Sequence, residues 1–441
     1  MKFVSGRIIV IAVVPMILIT GFWNWTRDQV RSQPVDTVPH HQGSNEFESS
    51  FVEMASLRRV SPAIVAWEEA RSQEEDLRTA VSPLGDDECL LVATNGMTVV
   101  EQSSVRRSST SGRHFLDLVV ALETLGADTV FSTFLVGAEP VDGIIDGDLG
   151  FVGGGDPALV SSTLAFLFVD SPWGYTEIDV LVDALVASGV RRITGDVVGD
   201  GSLFVEEQLS PGDLPTWSGL IVDDGRILTT AQNRGINSSQ TAAKTLLDLL
   251  RSKGIAVGGS ARTGPSAEGS VPLAVVESPP LRVIAQSLLR SNLSSHPWSV
   301  VFGNIQSLVA LNLGGAAFPD SGMNEMVKYL NEEHGAEFSF ASGDIEMSCP
   351  DLSVLAQLLA EQHPEYFEDV MVGGVAATGL VIANGADSIV VATTPLGVEV
   401  IAMGDLVSLD GAISDVFDVI DRFSDERDPL AFSPEAAIDV R

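Results

Sequence analysis

Residues 147 to 159 read GDLGFVGGGDPAL, with three consecutive glycines ahead of Asp156-Pro157. Such a run lets backbone come close to another group, which is what a phosphate cradle requires. A phosphate loop also needs a Lys-Ser/Thr pair and a helix opening behind it, and neither follows. The motif therefore reads as a structural turn in which Asp156 bonds main-chain amides. Six histidines could supply metal or acid-base chemistry. His40 and His41 fall in a polar stretch, and His296, His334 and His363 are dispersed. No His-Glu-x-x-His or paired-cysteine spacing occurs, so neither a metal site nor a cofactor is expected. Cys89 and Cys349 are too few for a disulfide framework, and two buried free thiols are the plainer expectation, with a single bridge as the alternative. Lysine is scarce: Lys2, Lys244, Lys253 and Lys328 are all there are.

The elements that must hold these residues follow from composition and period. The chain has 441 residues and 25 Lys plus Arg against 60 Asp plus Glu, a net charge of −35. That surface repels phosphate backbones and anionic headgroups, so no nucleic-acid partner is expected and membrane contact must be hydrophobic. At 45% hydrophobic and 19% charged residues the chain folds, and its length allows two or three domains. Forty-one glycines and three tyrosines favour a sheet-containing, turn-rich chain over a helical bundle.

Residues 8 to 23 are apolar, with Lys2 and Arg7 before them and Trp25 and Arg27 after, and no small-x-small cleavage site follows. Residues 1–26 therefore read as an N-terminal signal anchor, with a cleaved signal peptide and a secreted protein as the alternative, 27–55 as a flexible linker and 426–441 as a C-terminal tail. Residues 88 to 100 read as two strands turned at Asn95-Gly96. Phe115, Leu118, Val119, Leu122 and Leu125 mark a helix over 114–125 closed by Gly126. Further helices are expected over 177–188, 239–253, from Leu281, over 303–313, 352–362 and 412–423, with strands at 190–199, 388–394 and 398–403. Strands first, helices next and strands again at the end predict an α+β domain whose sheet is closed by the C-terminus.

Two stretches are more specific. GGGDP after a Gly-Asp-Leu strand, and Gly-Val-Arg-Arg-Ile-Thr-Gly (189–195) leading to Gly-Asp-Gly-Ser-Leu-Phe (199–204), resemble the D-alanyl-D-alanine carboxypeptidase/endopeptidase family, the low-molecular-mass class C penicillin-binding proteins. The resemblance continues at 249–259 and at Ser278-Pro279-Pro280-Leu281, and runs with gaps from about 60 to about 410. It implies a penicillin-binding, β-lactamase-like domain of sheet plus helical cluster, residues 56–135 and 281–425, split by an inserted α/β domain over 136–280. The short sequence between Phe204 and Asn233 implies a reduced accessory subdomain. Such enzymes acylate a serine in Ser-x-x-Lys, supported by a Ser-x-Asn loop and a Lys-Thr-Gly strand. The base at i+3 shares a helix face with the serine it activates, and the strand lysine attracts the substrate carboxylate.

Counting back from Ala121-Leu122-Glu123-Thr124-Leu125-Gly126 puts the nucleophile position at Ser111 and His114 where lysine is required. The second motif falls on Phe302-Gly303-Asn304, or on Asn292-Leu293-Ser294 without an insertion. The third falls on Ala392-Thr393-Thr394, or on Ala377-Thr378-Gly379 in another register. A search of the whole chain, independent of register, gives the same result. The residues three before Lys244, Lys253 and Lys328 are Thr241, Leu250 and Glu325, no lysine precedes Thr-Gly, and no asparagine has serine two residues before it.

The resemblance thus implies a cell-envelope homologue of peptidoglycan stem-peptide hydrolases that has lost catalysis. It would act as a binding module for peptidoglycan peptides or envelope proteins, held at the membrane through its N-terminal helix. Arg106, Arg107 and Arg113 are the densest basic cluster, with Arg113 the candidate for a substrate carboxylate and a solvated loop the plain alternative. The competing reading is an active serine-type carboxypeptidase in which His114 serves Ser111 as base.

Overall fold

The computed structural model describes residues 62–424 apart from 86–87, 95–96, 103–105, 163–164, 166–174, 205–217, 224–225, 228–229, 235–236, 291–298, 342–343, 383–386 and 396. The apolar run at 8–23, the linker, the tail, His40, His41, His296 and the Asn292-Leu293-Ser294 alternative lie outside the described residues. Among those described, no helix is long and apolar enough to cross a membrane.

Helix α1 (Pro62–Val81) leads to the hairpin β1 (Cys89–Thr94) and β2 (Met97–Gln102), with Thr94 opposite Met97 across the expected turn. After the short β3 (Arg107–Ser108), α2 (Thr110–Leu125) begins earlier than the apolar period alone indicates, because Ser109 caps it and accepts the Gly112 N–H at 2.8 Å. Phe115, Leu118, Val119 and Leu122 are buried along one stripe, and Gly126, at φ 91°, donates to the Leu122 carbonyl and ends the helix.

The chain then builds a second sheet from β4 (Ser132–Gly137), β5 (Leu149–Val152), β6 (Val197–Asp200), β7 (Ala261–Thr263) and β8 (Val271–Glu277), ordered β7-β6-β5-β4-β8. Helices α3 (Asp179–Ala187) and α4 (Ser238–Ser252) share its core through Leu181, Val182, Leu185, Leu246 and Leu250. β4 straddles the expected boundary at 135/136 and belongs wholly to this sheet, where it pairs with β8 from Ser132↔Glu277 onward. The entering and leaving chains are tied just outside that pair. Ser278 N donates to Phe131 O and Phe131 N to Ser278 Oγ, both at 2.9 Å, and Leu281 N donates to Thr129 O at 2.8 Å. This is the structural work of Ser278-Pro279-Pro280-Leu281.

The glycine run sits beside this junction. A Cβ on Gly153 would meet the Gly219 carbonyl and one on Gly154 the Ser132 carbonyl, while Gly155 takes φ 78°. Asp156 Oδ1 accepts the Ala158 N–H at 2.8 Å, so the turn reading holds and the backbone approach is to other backbone.

The remainder runs α5 (Leu281–Arg290), α6 (Ser299–Asn312), α7 (Pro319–Glu333), a hairpin of β9 (Ser339–Ala341) and β10 (Asp344–Met347), and α8 (Cys349–Gln362). It finishes with β11 (Glu368–Val372), β12 (Val375–Ile382), β13 (Ser388–Thr393), β14 (Val398–Gly404) and α9 (Leu406–Ser424). β14 pairs antiparallel with β1, Cys89 facing Met403, and completes a six-stranded sheet β11-β12-β13-β14-β1-β2. The C-terminal strands thus close the sheet opened by the N-terminal hairpin, and the expected α+β class with an inserted α/β sheet is the observed one.

Side chains alternate across this sheet. Leu90, Val92, Val390, Val400 and Ala402 pack with α1 and α9, while Cys89, Leu91, Ile389, Val391, Ile401 and Met403 pack with α2 and α5–α8. Burial on both faces explains why SIVVAT and VEVIAMG read as nearly continuous apolar runs.

One expectation is overturned. Cys89 and Cys349, anticipated as free thiols, form a disulfide, and both are fully buried. The two sulfurs meet because β1 presents Cys89 to the α8 face and Cys349 is the first residue of α8, a tertiary proximity that a sequence separation of 260 does not disclose.

Candidate functional site

Ser111 lies in the first turn of α2 and is fully buried. Its position is set by a carboxylate from the sheet. Asp387, just ahead of β13, accepts the Ser111 N–H at 2.9 Å on Oδ2 and the Ser109 hydroxyl at 2.6 Å on Oδ1. An anion at a helix N-terminus is favourable, since it takes up an N–H that has no partner within the helix and complements the helix dipole. Met347 of β10 packs over Gly112, the next residue, so closely that a side chain there would collide with its sulfur. β10 reaches this position by pairing with β3, Met347 opposite Arg107.

His114 follows one turn later. Its ring stacks flat on Phe302 of α6, centroids 3.7 Å apart and planes within 7°, and its Nδ1 is buried with no hydrogen-bond partner. Burial, reinforced by the neighbouring Arg113 charge, pushes its pKa down to about 3. The first motif and the Phe302-Gly303-Asn304 stretch therefore meet, as aromatic packing. Asn304 is also buried, and neither side-chain polar atom has a partner.

Arg113, the candidate carboxylate contact, turns toward the interior. Its Nη2 reaches Gln306 Oε1 at 3.4 Å, and Gln306 Nε2 donates to Asp117 Oδ2 at 2.8 Å. Arg107 donates to the Met403 carbonyl at 2.8 Å, and Arg106 pairs with Asp351 and Glu337, each at 3.3 Å. The arginine cluster is thus dispersed over three environments, and the solvated-loop alternative does not describe it.

Neither register of the third motif reaches Ser111. Ala392-Thr393-Thr394 ends β13 and enters its turn, where Thr394 Oγ1 accepts the Val398 N–H at 3.2 Å. The opposite end of β13 carries Asp387, so Thr393 lies about 20 Å further along at ~3.3 Å per residue. Ala377-Thr378-Gly379 on β12 is level with it, Thr378 facing Thr393 and Gly379 facing Ala392. Ala377 and Ala392 both point into the α1/α9 core. β12 is moreover paired along its outer side with β11, Val370 opposite Ala377.

Asp117, Gln306, Met347 and Asp387 emerge only from the structure. Asp117 had a visible signal, an acid inside the apolar run HFLDLVV. Burial raises its pKa to about 7, opposed by Arg113 and by the Gln306 hydrogen bond.

That elevation has a testable sign. Folded Asp117 keeps its proton up to about pH 7, whereas the unfolded chain releases it near 3.8, so folding loses free energy as pH rises through that window. Asp117→Asn has no proton to lose and still accepts from Gln306. Its stability relative to the parent is expected to grow from pH 4 to pH 7 and level off above. Urea unfolding of both proteins at pH 5 and pH 8 measures this. His114, with its lowered pKa, acts oppositely below pH 6.5, but it is common to both proteins and cancels.

Chemically, an imidazole whose conjugate acid has a pKa of about 3 is a weak proton acceptor. The Ser111 N–H, the natural donor to an oxyanion forming on that serine, is engaged by Asp387. Among the described residues, no group of three or more His, Cys, Asp or Glu could hold a metal ion.

Residues 91–235 match the D-Ala-D-Ala carboxypeptidase 3 (S13) family. A D-alanyl-D-alanine carboxypeptidase of Actinomadura sp. (strain R39) is 31% identical over 166 residues, a match that spans 35% of this chain and 28% of that relative. The structure is similar to penicillin binding protein 4 from Haemophilus influenzae, with TM-score 0.59 and 14% identity over 79% of this chain and 99% of that one. The same Haemophilus protein complexed with a β-lactam gives TM-score 0.55 over the same shares. At that identity the structural likeness speaks for the fold.

Proposed function

We propose, from the match of residues 91–235 to the D-Ala-D-Ala carboxypeptidase 3 (S13) family, that the chain is a non-catalytic member of that family that binds peptidoglycan stem peptides at the cell envelope. The observation that carries this reading is His114. At the position where the family's chemistry needs a lysine, the residue is a neutral ring stacked on Phe302. Three further features support it: Ser111 is inaccessible, its N–H is held by Asp387, and no lysine has a usable spacing anywhere in the chain. Losing a nucleophile's base typically costs about three to six orders of magnitude in rate.

The Cys89–Cys349 disulfide supports residence in an oxidising compartment outside the cytoplasm. The basic-flanked apolar run at 8–23 supplies the membrane anchor in this reading. The family is associated with the cell envelope, which agrees with both features.

The test is paired. The purified ectodomain is incubated with a D-alanyl-D-alanine peptide, and separately sedimented with purified peptidoglycan. D-alanine release is expected to stay at the buffer rate while the protein pellets with the polymer. Release abolished by Ser111→Ala would sink the reading and favour the alternative in which His114 activates Ser111.

A further inference from the structure

If Ser111 is sealed, a peptide ligand must be held elsewhere on the molecule. The described surface offers an open groove of about 530 Å³ between the turn after α7 and the first turns of α8, lined by Arg106, Ala336, Glu337, Pro350, Asp351 and Val354 among others. Among the described residues Arg106 is the only basic one that lines it, and two different carboxylates hold it.

Behind it, Asp351 is almost fully buried, and its Oδ2 already accepts the Ser348 N–H at 2.8 Å and the Ser348 hydroxyl at 2.7 Å in the α8 capping box. That oxygen takes Arg106 Nε at 3.3 Å, so the guanidinium is oriented by a fixed anion. On the groove side Arg106 Nη2 meets Glu337 at 3.3 Å, but the Glu337 side chain is 84% exposed. An exposed, long ion pair contributes little, because water screens it and holding the side chain costs entropy. Glu337 is therefore exchangeable where Asp351 is not. A planar guanidinium with one edge anchored and the other loosely occupied is suited to a carboxylate bound through two parallel hydrogen bonds. Ala336, Pro350 and Val354 give the groove an apolar wall for small side chains next to it.

We propose that this groove is the ligand site of the protein, and that it takes the C-terminal carboxylate of a short peptide with small apolar residues on Arg106 in place of Glu337. The assignment rests on the non-catalytic, peptide-binding reading above and adds to it the place and the recognised group. Binding requires the free acid, weakens with salt, and does not involve Ser111.

The experiment is calorimetric titration of the ectodomain with N-acetyl-Lys-D-Ala-D-Ala and with its C-terminal amide, so that no free α-ammonium is present. The acid is expected to bind and the amide to bind about tenfold or more weakly, as loss of a charge-assisted bidentate pair requires. Arg106→Gln is expected to reduce affinity for the acid by a similar factor, with its thermal unfolding recorded alongside. Glu337→Gln, a change at an exposed side chain that leaves the fold alone, is expected to tighten binding by removing the competing carboxylate. Acid binding that is indifferent to both substitutions would overturn the groove assignment. Co-sedimentation with peptidoglycan that survives Arg106→Gln unchanged would overturn it while leaving the broader reading intact. Ser111-dependent D-alanine release would instead overturn the reading on which it rests.

Discussion

Replacing Cys89 and Cys349 together by alanine is expected to cost about 5 kcal/mol of folding stability, seen as a large fall in the urea midpoint. The bridge closes a loop of 260 residues that contains the whole inserted sheet. Chain-entropy arguments place loops of that length at the top of the usual range, because cross-linking removes the most freedom from the unfolded state when the ends are far apart in sequence. Domains are commonly stable by about 5–15 kcal/mol, so the variant would lie near its threshold. The mechanism has a second consequence. Both cysteines are fully buried, so reductant should leave the native protein oxidised and act only after unfolding. A double variant within 1 kcal/mol of the parent, on the order of experimental error, would show that the six-stranded sheet holds its two sequence halves together without the bridge.

Gly154→Ala is the second large effect, at about 3 kcal/mol, the upper end for forcing an atom into a packed interior. The added Cβ would fall 2.1 Å from the Ser132 carbonyl oxygen, which is backbone and cannot rotate away as a side chain could. Gly153→Ala meets the Gly219 carbonyl at the same distance and serves as an independent check. Because Ser132 opens β4 at the junction of the two sheets, the strain should destabilise the inserted sheet, and protease nicking within 136–280 is the measurement. The alanine variants remaining as stable and as resistant as the parent would remove the packing explanation of the glycine run.

These two effects show what sequence patterning can and cannot carry. The GGGDP run was legible as a place of close backbone approach, because glycine's missing Cβ is a local property. Which backbone approaches, Ser132 and Gly219, was not legible, since those contacts are distant in the chain. The α2 stripe, the pairing of strands β1 and β2 and the terminal strands 388–394 and 398–403 were visible because their periods are strong and their ends are marked by glycine or polar turns. Strands β11 and β12 were not anticipated: EDVMV and VAATGLVI alternate weakly, and their order is set by pairing with one another and with β13.

The site divides in the same way. The absence of a usable lysine is a statement about composition and spacing, so it needed no coordinates. The stacking of His114 on Phe302 joins helices α2 and α6, and the Asp387 carboxylate on Ser111 N–H joins α2 to the sheet. Neither has a local signature. The fate of the arginines was hidden for the same reason. Arg106, Arg107 and Arg113 are close in sequence, yet their partners come from α6, β14, α8 and the turn after α7.

In the non-catalytic reading proposed above, Ser111 is not acylated. The most direct test is the intact mass of the ectodomain after prolonged incubation with excess benzylpenicillin, followed by peptide mapping. An unchanged mass is expected, for the parent protein and also for His114→Lys, in which Ser111 remains buried and its N–H remains on Asp387. A stoichiometric penicilloyl adduct on Ser111 of the parent protein would contradict that reading.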